Sequence, residues 1–213
     1  MIVIEQTAAQ IAEYLLQIKA IKLQPSEPFT WASGWKSPIY CDNRISLSYP
    51  AIRRSICEAL TASIRHNLSE AELIAGVATA AIPQGVLVAE KMELPFVYVR
   101  SSPKDHGREN LIEGELKAGQ KTVVIEDLVS TGKSSLKAVQ ALRDAGCQVL
   151  GLICVFNYGF LQAEKNFSDA DVPIISLCSY DTLIQRALET NYIRKEEVAT
   201  LQAWRNAPES WGK

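Results

Sequence analysis

Five short apolar runs, set apart by longer segments in which apolar residues recur every three or four positions, give this chain its rhythm. The runs are Leu73 to Val77, Pro95 to Val99, Thr122 to Ile125, Val149 to Phe156 and Pro173 to Leu177. None alternates with polar residues as a strand with one wet face would, so each predicts a strand covered on both sides. Between them the period becomes helical. Ile52, Ile56, Ala59, Leu60 and Ile64 share one face behind a start at Ser48 and Pro50, and Leu136, Val139, Leu142 and Ala145 share another before Gly146. After the loop ATAAIPQG a third helix is expected to end near Met92. Strand, loop, helix, strand in succession predicts an α/β fold with five parallel strands and right-handed crossovers. Outside this core, Thr7 to Lys19 predicts a helix with Thr7 and Gln10 as a capping box. Asp181 is expected to cap a helix carrying Leu183, Ile184, Ala187 and Leu188, and Lys195 to Trp204 predicts the last helix. The polar end NAPESWGK is expected to fray.

Two stretches break the rhythm. In FTWASGWKSPIYCDN, Phe29 to Asn43, aromatic residues surround a Ser-Gly turn and Pro38, which predicts short strands around a hairpin. Trp31, Trp35 and Tyr40 there either stack on a flat ring or form the core of a small subdomain. From Arg100 to Gly119 the apolar period vanishes, and Arg100, Lys104, His106 and Arg108 place up to four cationic groups within nine residues. A solvated charge run is one reading; a positive lid closing over a polyanion is the other.

The most informative stretch is KTVVIEDLVSTGKSS, Lys121 to Ser135. A buried-strand run leads into two carboxylates, Glu126 and Asp127, then into Ser130, Thr131, Gly132, Lys133 and Ser134 at a helix start. Carboxylates at a strand end accept hydrogen bonds from ribose hydroxyls, and hydroxyls with free helix-start amides hold a phosphate. A triphosphate P-loop ending at Gly132, Lys133 and Ser134 needs glycine where Asp127 stands, so that reading fails. An ordinary capped helix with solvated acids is the bland alternative.

Composition narrows the function classes. With 213 residues, a net charge of −2 and a pI near 5.8, nothing global favours nucleic acid or an anionic membrane. The N-terminal stretch has glutamates and no basic leader, which argues against a secretory signal. The run from Leu73 to Ala89 is broken by Gly76, Pro83 and Gly85, so it is not expected to span a bilayer. Five cysteines without C-x-x-C spacing indicate neither a disulfide framework nor a zinc site, and a reduced, cytoplasmic protein is expected.

Three of these stretches carry a resemblance. Lys121 to Ser135 is similar to the phosphoribosyl pyrophosphate (PRPP) motif of the type I phosphoribosyltransferases. FTWASGWKSPIYCDN resembles a substrate-binding signature, and RSSPKDHGRENLIEG a catalytic-loop pattern, of the orotate phosphoribosyltransferases. The resemblance implies one domain over residues 1–213: a parallel sheet flanked by helices, a small N-terminal hood over about residues 1–45, and a flexible catalytic loop over about residues 100–114. It implies transfer of ribose 5-phosphate from PRPP to orotate, giving orotidine 5′-monophosphate and pyrophosphate in pyrimidine synthesis. Magnesium is the implied cofactor, and the implied partner is a second copy whose basic loop serves the neighbouring site. By motif position, Lys104, His106 and Asp127 become the catalytic residues. PRPP would be held by Arg100, Lys104, His106, Glu126, Asp127, Leu128, Val129, Ser130, Thr131, Gly132, Lys133 and Ser134. Tyr40, Cys41 and Ser130 would flank orotate, Ala78 to Ala81 would face pyrophosphate, and Glu126 and Asp127 would place the metal directly or through water. Three departures stand out: Ala32 replaces a lysine, Ser101 and Ser102 replace loop lysines, and no arginine follows the fourth strand near Asn157 and Tyr158. Lys36 is the expected substitute for that arginine. The alternatives are transfer to another base, or a PRPP-sensing regulator that binds nucleic acid.

Overall fold

A computed structural model describes residues 5–31, 34–102 and 111–212. The chain opens with helix α1 (Glu5–Gln17) and then forms four short strands, β1 (Ile21–Leu23), β2 (Phe29–Thr30), β3 (Lys36–Ser37) and β4 (Ile39–Cys41). Two antiparallel pairs result, β1 with β4 and β2 with β3; the second is the hairpin expected around the Ser-Gly turn, whereas β1 lies before the segment in which strands are expected. A 3-10 turn over Asn43–Ser48, absent from the periodicity, leads into α2 (Pro50–Asn67). Pro50 sits in the first turn of α2, where its missing N–H costs nothing.

The main sheet follows: β5 (Leu73–Val77), α3 (Ile82–Met92), β6 (Phe96–Val99), β7 (Ile112–Glu113), β8 (Lys121–Val129), α4 (Lys133–Asp144), β9 (Gln148–Asn157), α5 (Leu161–Asp169), β10 (Ile174–Ser179), α6 (Tyr180–Glu189) and α7 (Val198–Asn206). Strand order is β10-β9-β8-β5-β6-β7. The five expected strands are parallel, and β5 and the middle of β8 and β9 are buried on both faces. The sixth, β7, is an antiparallel edge strand that two residues are too few to announce. Gly76 and Gly85 let α3 close on the sheet: a Cβ at Gly85 would stand 2.5 Å from the Phe96 ring. This packing sets the loop at 78–81 at the carboxyl end of β5.

Four local expectations are corrected. The α1 helix already spans Glu5, so Thr7 lies inside it and caps nothing. Ile82, Pro83, Gln84 and Gly85 belong to α3 rather than to the preceding loop. Ser179, not Asp181, caps α6: its hydroxyl accepts from the Thr182 amide at 3.2 Å, while Asp181 sits in the first turn. The C-terminal end does not simply fray, since Trp211 packs against the core. Among the described residues no helix is long and apolar enough to cross a membrane.

Candidate active site

The carboxyl ends of β5 and β8 meet at a cleft of about 220 Å³ lined by residues 77–80, 126–128 and 130–135. Strand β8 runs two residues past the carboxylates, to Val129, so Glu126 and Asp127 lie within the strand rather than at its end. Glu126 is 4% exposed. Its Oε2 accepts from the Ser135 hydroxyl at 2.9 Å and its Oε1 from the Asp127 amide at 3.1 Å. Burial, and then the neighbouring Asp127 carboxylate, push the Glu126 carboxyl up to about 9. Burial also raises Asp127. Two acids held this way, with no ion pair to either among the described residues, form a site that favours hydroxyl donors or a cation.

In the same cleft the turn Ser130 to Ser134 opens α4. Gly132 takes φ +76° at the N-cap, with no side-chain cap on the first amides of the helix. A Cβ there would meet the Phe167 ring at 2.6 Å, so only glycine lets the turn fit against α5. Asn166 donates to the Thr131 carbonyl at 2.9 Å and holds the turn from α5. Uncapped amides at the start of a helix are a ready anion site, and here their residues line the same cleft as the carboxylate pair. Ala78, Thr79 and Ala80 line the same cleft, and the Ala78–Thr79 peptide bond is cis.

The N-terminal strands reach this cleft through Asn43. Its Nδ2 donates to the Asp127 carbonyl at 2.7 Å, and its Oδ1 accepts from the Cys41 thiol at 3.3 Å. Burial and the nearby Asp127 carboxylate keep the Cys41 thiol well above its usual range. Tyr40, by contrast, is 42% exposed and packs on Phe29. Trp31 belongs to a core: it packs on Tyr158 and Trp204, and its indole N–H donates to the Ile39 carbonyl at 3.2 Å. Trp35 stacks beside it. Lys36 donates to the Thr30 hydroxyl at 2.8 Å and does not line the cleft.

Of the expected cationic loop, Arg100 stands 3.5 Å from Glu113, and its amide donates to the Leu111 carbonyl at 2.8 Å. Lys137 donates to the Ser101 carbonyl at 2.7 Å. The chain thus leaves the sheet edge and returns at one place. Lys104, His106 and Arg108 lie outside the described residues. Ser135 and Asn43, which hold the acid pair, carry no signal of that role in the sequence.

A family model described as the phosphoribosyl transferase domain matches residues 49–181, so the sheet, the carboxylate pair and the anion turn together define a phosphoribosyltransferase. An orotate phosphoribosyltransferase of Porphyromonas gingivalis is 59% identical over 202 residues, 95% of this chain and 96% of that protein. The chain belongs to the orotate phosphoribosyltransferase family. Among solved structures, a Leishmania donovani UMP synthase superposes with a TM-score of 0.79 at 28% identity over 93% of this chain, which spans 42% of that one. An Aeropyrum pernix orotate phosphoribosyltransferase, 24% identical, shares the fold with a TM-score of 0.75 over 86% of this chain and 99% of its own.

Proposed function

We propose that the protein transfers ribose 5-phosphate from PRPP to orotate, forming orotidine 5′-monophosphate and pyrophosphate in pyrimidine nucleotide synthesis. The observation that carries this reading is the cleft itself, lined both by a buried acid pair and by the uncapped start of α4. Identity of 59% along nearly the full length of a relative of that name supports the choice of base.

Roles follow from where charge develops. Breaking the bond between C1′ and the pyrophosphate oxygen puts positive character on the ribose and negative charge on the leaving group. Asp127 and Glu126 hold the ribose hydroxyls. The amides and hydroxyls of Ser130 to Ser134 hold the 5′-phosphate. The 78–81 loop faces the leaving pyrophosphate, where Arg100, Lys104 and His106 neutralise it. Tyr40, Cys41 and Ser130 border the base. In this reading the protein is a cytoplasmic homodimer, and the basic segment of each subunit serves its neighbour's cleft.

Magnesium fits the acid pair. Among the described residues no third histidine, cysteine, aspartate or glutamate joins the two carboxylates, so the remaining ligands would be substrate oxygens and water. When bound, the ion neutralises pyrophosphate and aids its departure.

Purified protein with magnesium and PRPP is expected to consume orotate, seen as loss of its ultraviolet absorbance, and to leave adenine, hypoxanthine and uracil untouched. Turnover of another base without orotate would overturn the choice of substrate. PRPP binding without turnover, joined to strongly salt-dependent nucleic-acid affinity, would mark a regulator instead.

A further inference from the structure

We infer that Arg205, on the last helix, is the cation that recognises the carboxylate of orotate and sets the preference for a carboxylated pyrimidine over a plain one. The inference rests on the reaction proposed above and names a specificity-determining residue for it. The substrate fixes the geometry. In a pyrimidine nucleotide with its base anti, C6 faces the 5′ side of the ribose, so a carboxylate on C6 lies toward the 5′-phosphate. A carboxylate drawn from water into a site needs a cation or several donors. Its partner must therefore stand beside the phosphate turn.

The neighbour of that turn is the end of β9: the Tyr158 amide donates to the Val129 carbonyl at 3.0 Å. The side chains at this strand end do not supply a cation. Asn157 Oδ1 is turned back onto the Gly159 amide at 2.9 Å. Tyr158 is 3% exposed, stacked on Phe160 and edge-on to Trp204, and burial pushes its hydroxyl far up. Gly159 has no side chain, and its place is taken by another residue: Arg205 Nη1 lies 3.1 Å from where a Cβ on Gly159 would stand.

Arg205 lines, with Trp35, Thr131, Gly159 and Phe160, a cavity of about 440 Å³. Thr131 also lines the phosphate cleft, so the two cavities meet at the turn. The guanidinium is held in place. Its Nη1 donates to Asp181 at 3.1 Å and its carbon sits 6.0 Å from the Tyr180 ring centroid. A fork fixed on one side keeps its remaining donors for a planar, two-oxygen acceptor. Lys133 also lies near the turn but lines the phosphate cleft alone.

Orotidine 5′-monophosphate and uridine 5′-monophosphate differ only by that carboxylate, so calorimetric titration of both nucleotides isolates the contact. Wild-type protein is expected to bind the first more tightly. Arg205→Gln is expected to lower that ratio by at least about tenfold while uridine 5′-monophosphate binding stays within about twofold. Arg205→Lys, which keeps charge but loses the fork, covers the case in which glutamine prevents folding, and its ratio is expected to fall as well. Asp181→Asn, which leaves the guanidinium in place, should retain the preference, and Lys133→Ala should weaken both nucleotides alike. An unchanged ratio in the Arg205 variants, equal weakening of both nucleotides by them, or loss of preference in Lys133→Ala instead overturns the inference. So does wild-type protein that consumes orotate yet binds both nucleotides equally, whereas failure to consume orotate overturns the proposed reaction itself.

Discussion

Glu126→Gln isolates the cost of a buried carboxylate. Glutamine keeps the contacts to the Asp127 amide and to Ser135: its carbonyl accepts from the amide, and its NH2 donates to the Ser135 hydroxyl, which accepts as readily as it donates. What is removed is the acidic proton that the native carboxyl must keep in order to fold neutral. The folded protein holds the Glu126 proton up to about pH 9, whereas the unfolded chain releases it near 4.5. Between those values the native state binds more protons than the unfolded one, so stability falls as the pH rises, and the group exacts no penalty below 4.5. From 4.5 to 7 the loss amounts to about 3 kcal/mol, at roughly 1.4 kcal/mol per pH unit. For a chain of this size that is about 6–12 °C in melting temperature. Scanning calorimetry of both proteins, freed of metal by a chelator, measures it. The variant is expected to melt above the wild type by a gap that is small at pH 5, about 6–12 °C at pH 7 and wider at pH 9, with transferase activity lost. A gap that does not grow with pH, or a variant less stable than the wild type at pH 8, would refute the reasoning.

Other perturbations reach different parts of the site. Gly132→Ala forces a side chain into a positive φ and against Phe167, so it should cost about 1–3 kcal/mol in urea unfolding and weaken PRPP binding in calorimetric titration. Trp204→Ala removes a fully buried ring and its bond to the Lys36 carbonyl, and should cost about 3–5 kcal/mol while raising the orotate KM more than the PRPP KM. Lys104→Ala is expected to slow turnover by more than about tenfold; a smaller effect removes that lysine from the chemistry. Mixing Lys104→Ala with Asp127→Asn subunits should restore part of the activity if the basic segment serves the neighbouring site, and unrecovered activity would argue for sites built within one chain.

How much of this is legible in the sequence depends on how local its cause is. Strand β5 is read correctly to the residue because burial on both faces writes an uninterrupted apolar run. Strand β7 is not, since its pairing with β6 rests on backbone bonds that leave no pattern in two residues. Ser179 and Asp181 are equally good caps by composition, and only the path of the chain decides between them. The acid pair and the glycine turn are legible because one strand-to-helix segment contains both. Their supports are not: Ser135 reaches back nine residues to Glu126, and Asn43 reaches across 84 to Asp127. Arg205 is hidden for the same reason, because a cation near the end of an amphipathic helix reads as a solvated face until the fold carries it to Gly159.

Trp204 closes the N-terminal hairpin from the opposite end of the chain. Its indole N–H donates to the Lys36 carbonyl at 3.1 Å, and its ring lies edge-on to Trp31. The hairpin and α7 therefore behave as one unit although 168 residues separate the bonded pair. The strands of the main sheet pair without either of them. Local opening of α7 should release the hairpin while the sheet stays closed, so the two segments are expected to exchange their amide hydrogens together and sooner than β8 or β9.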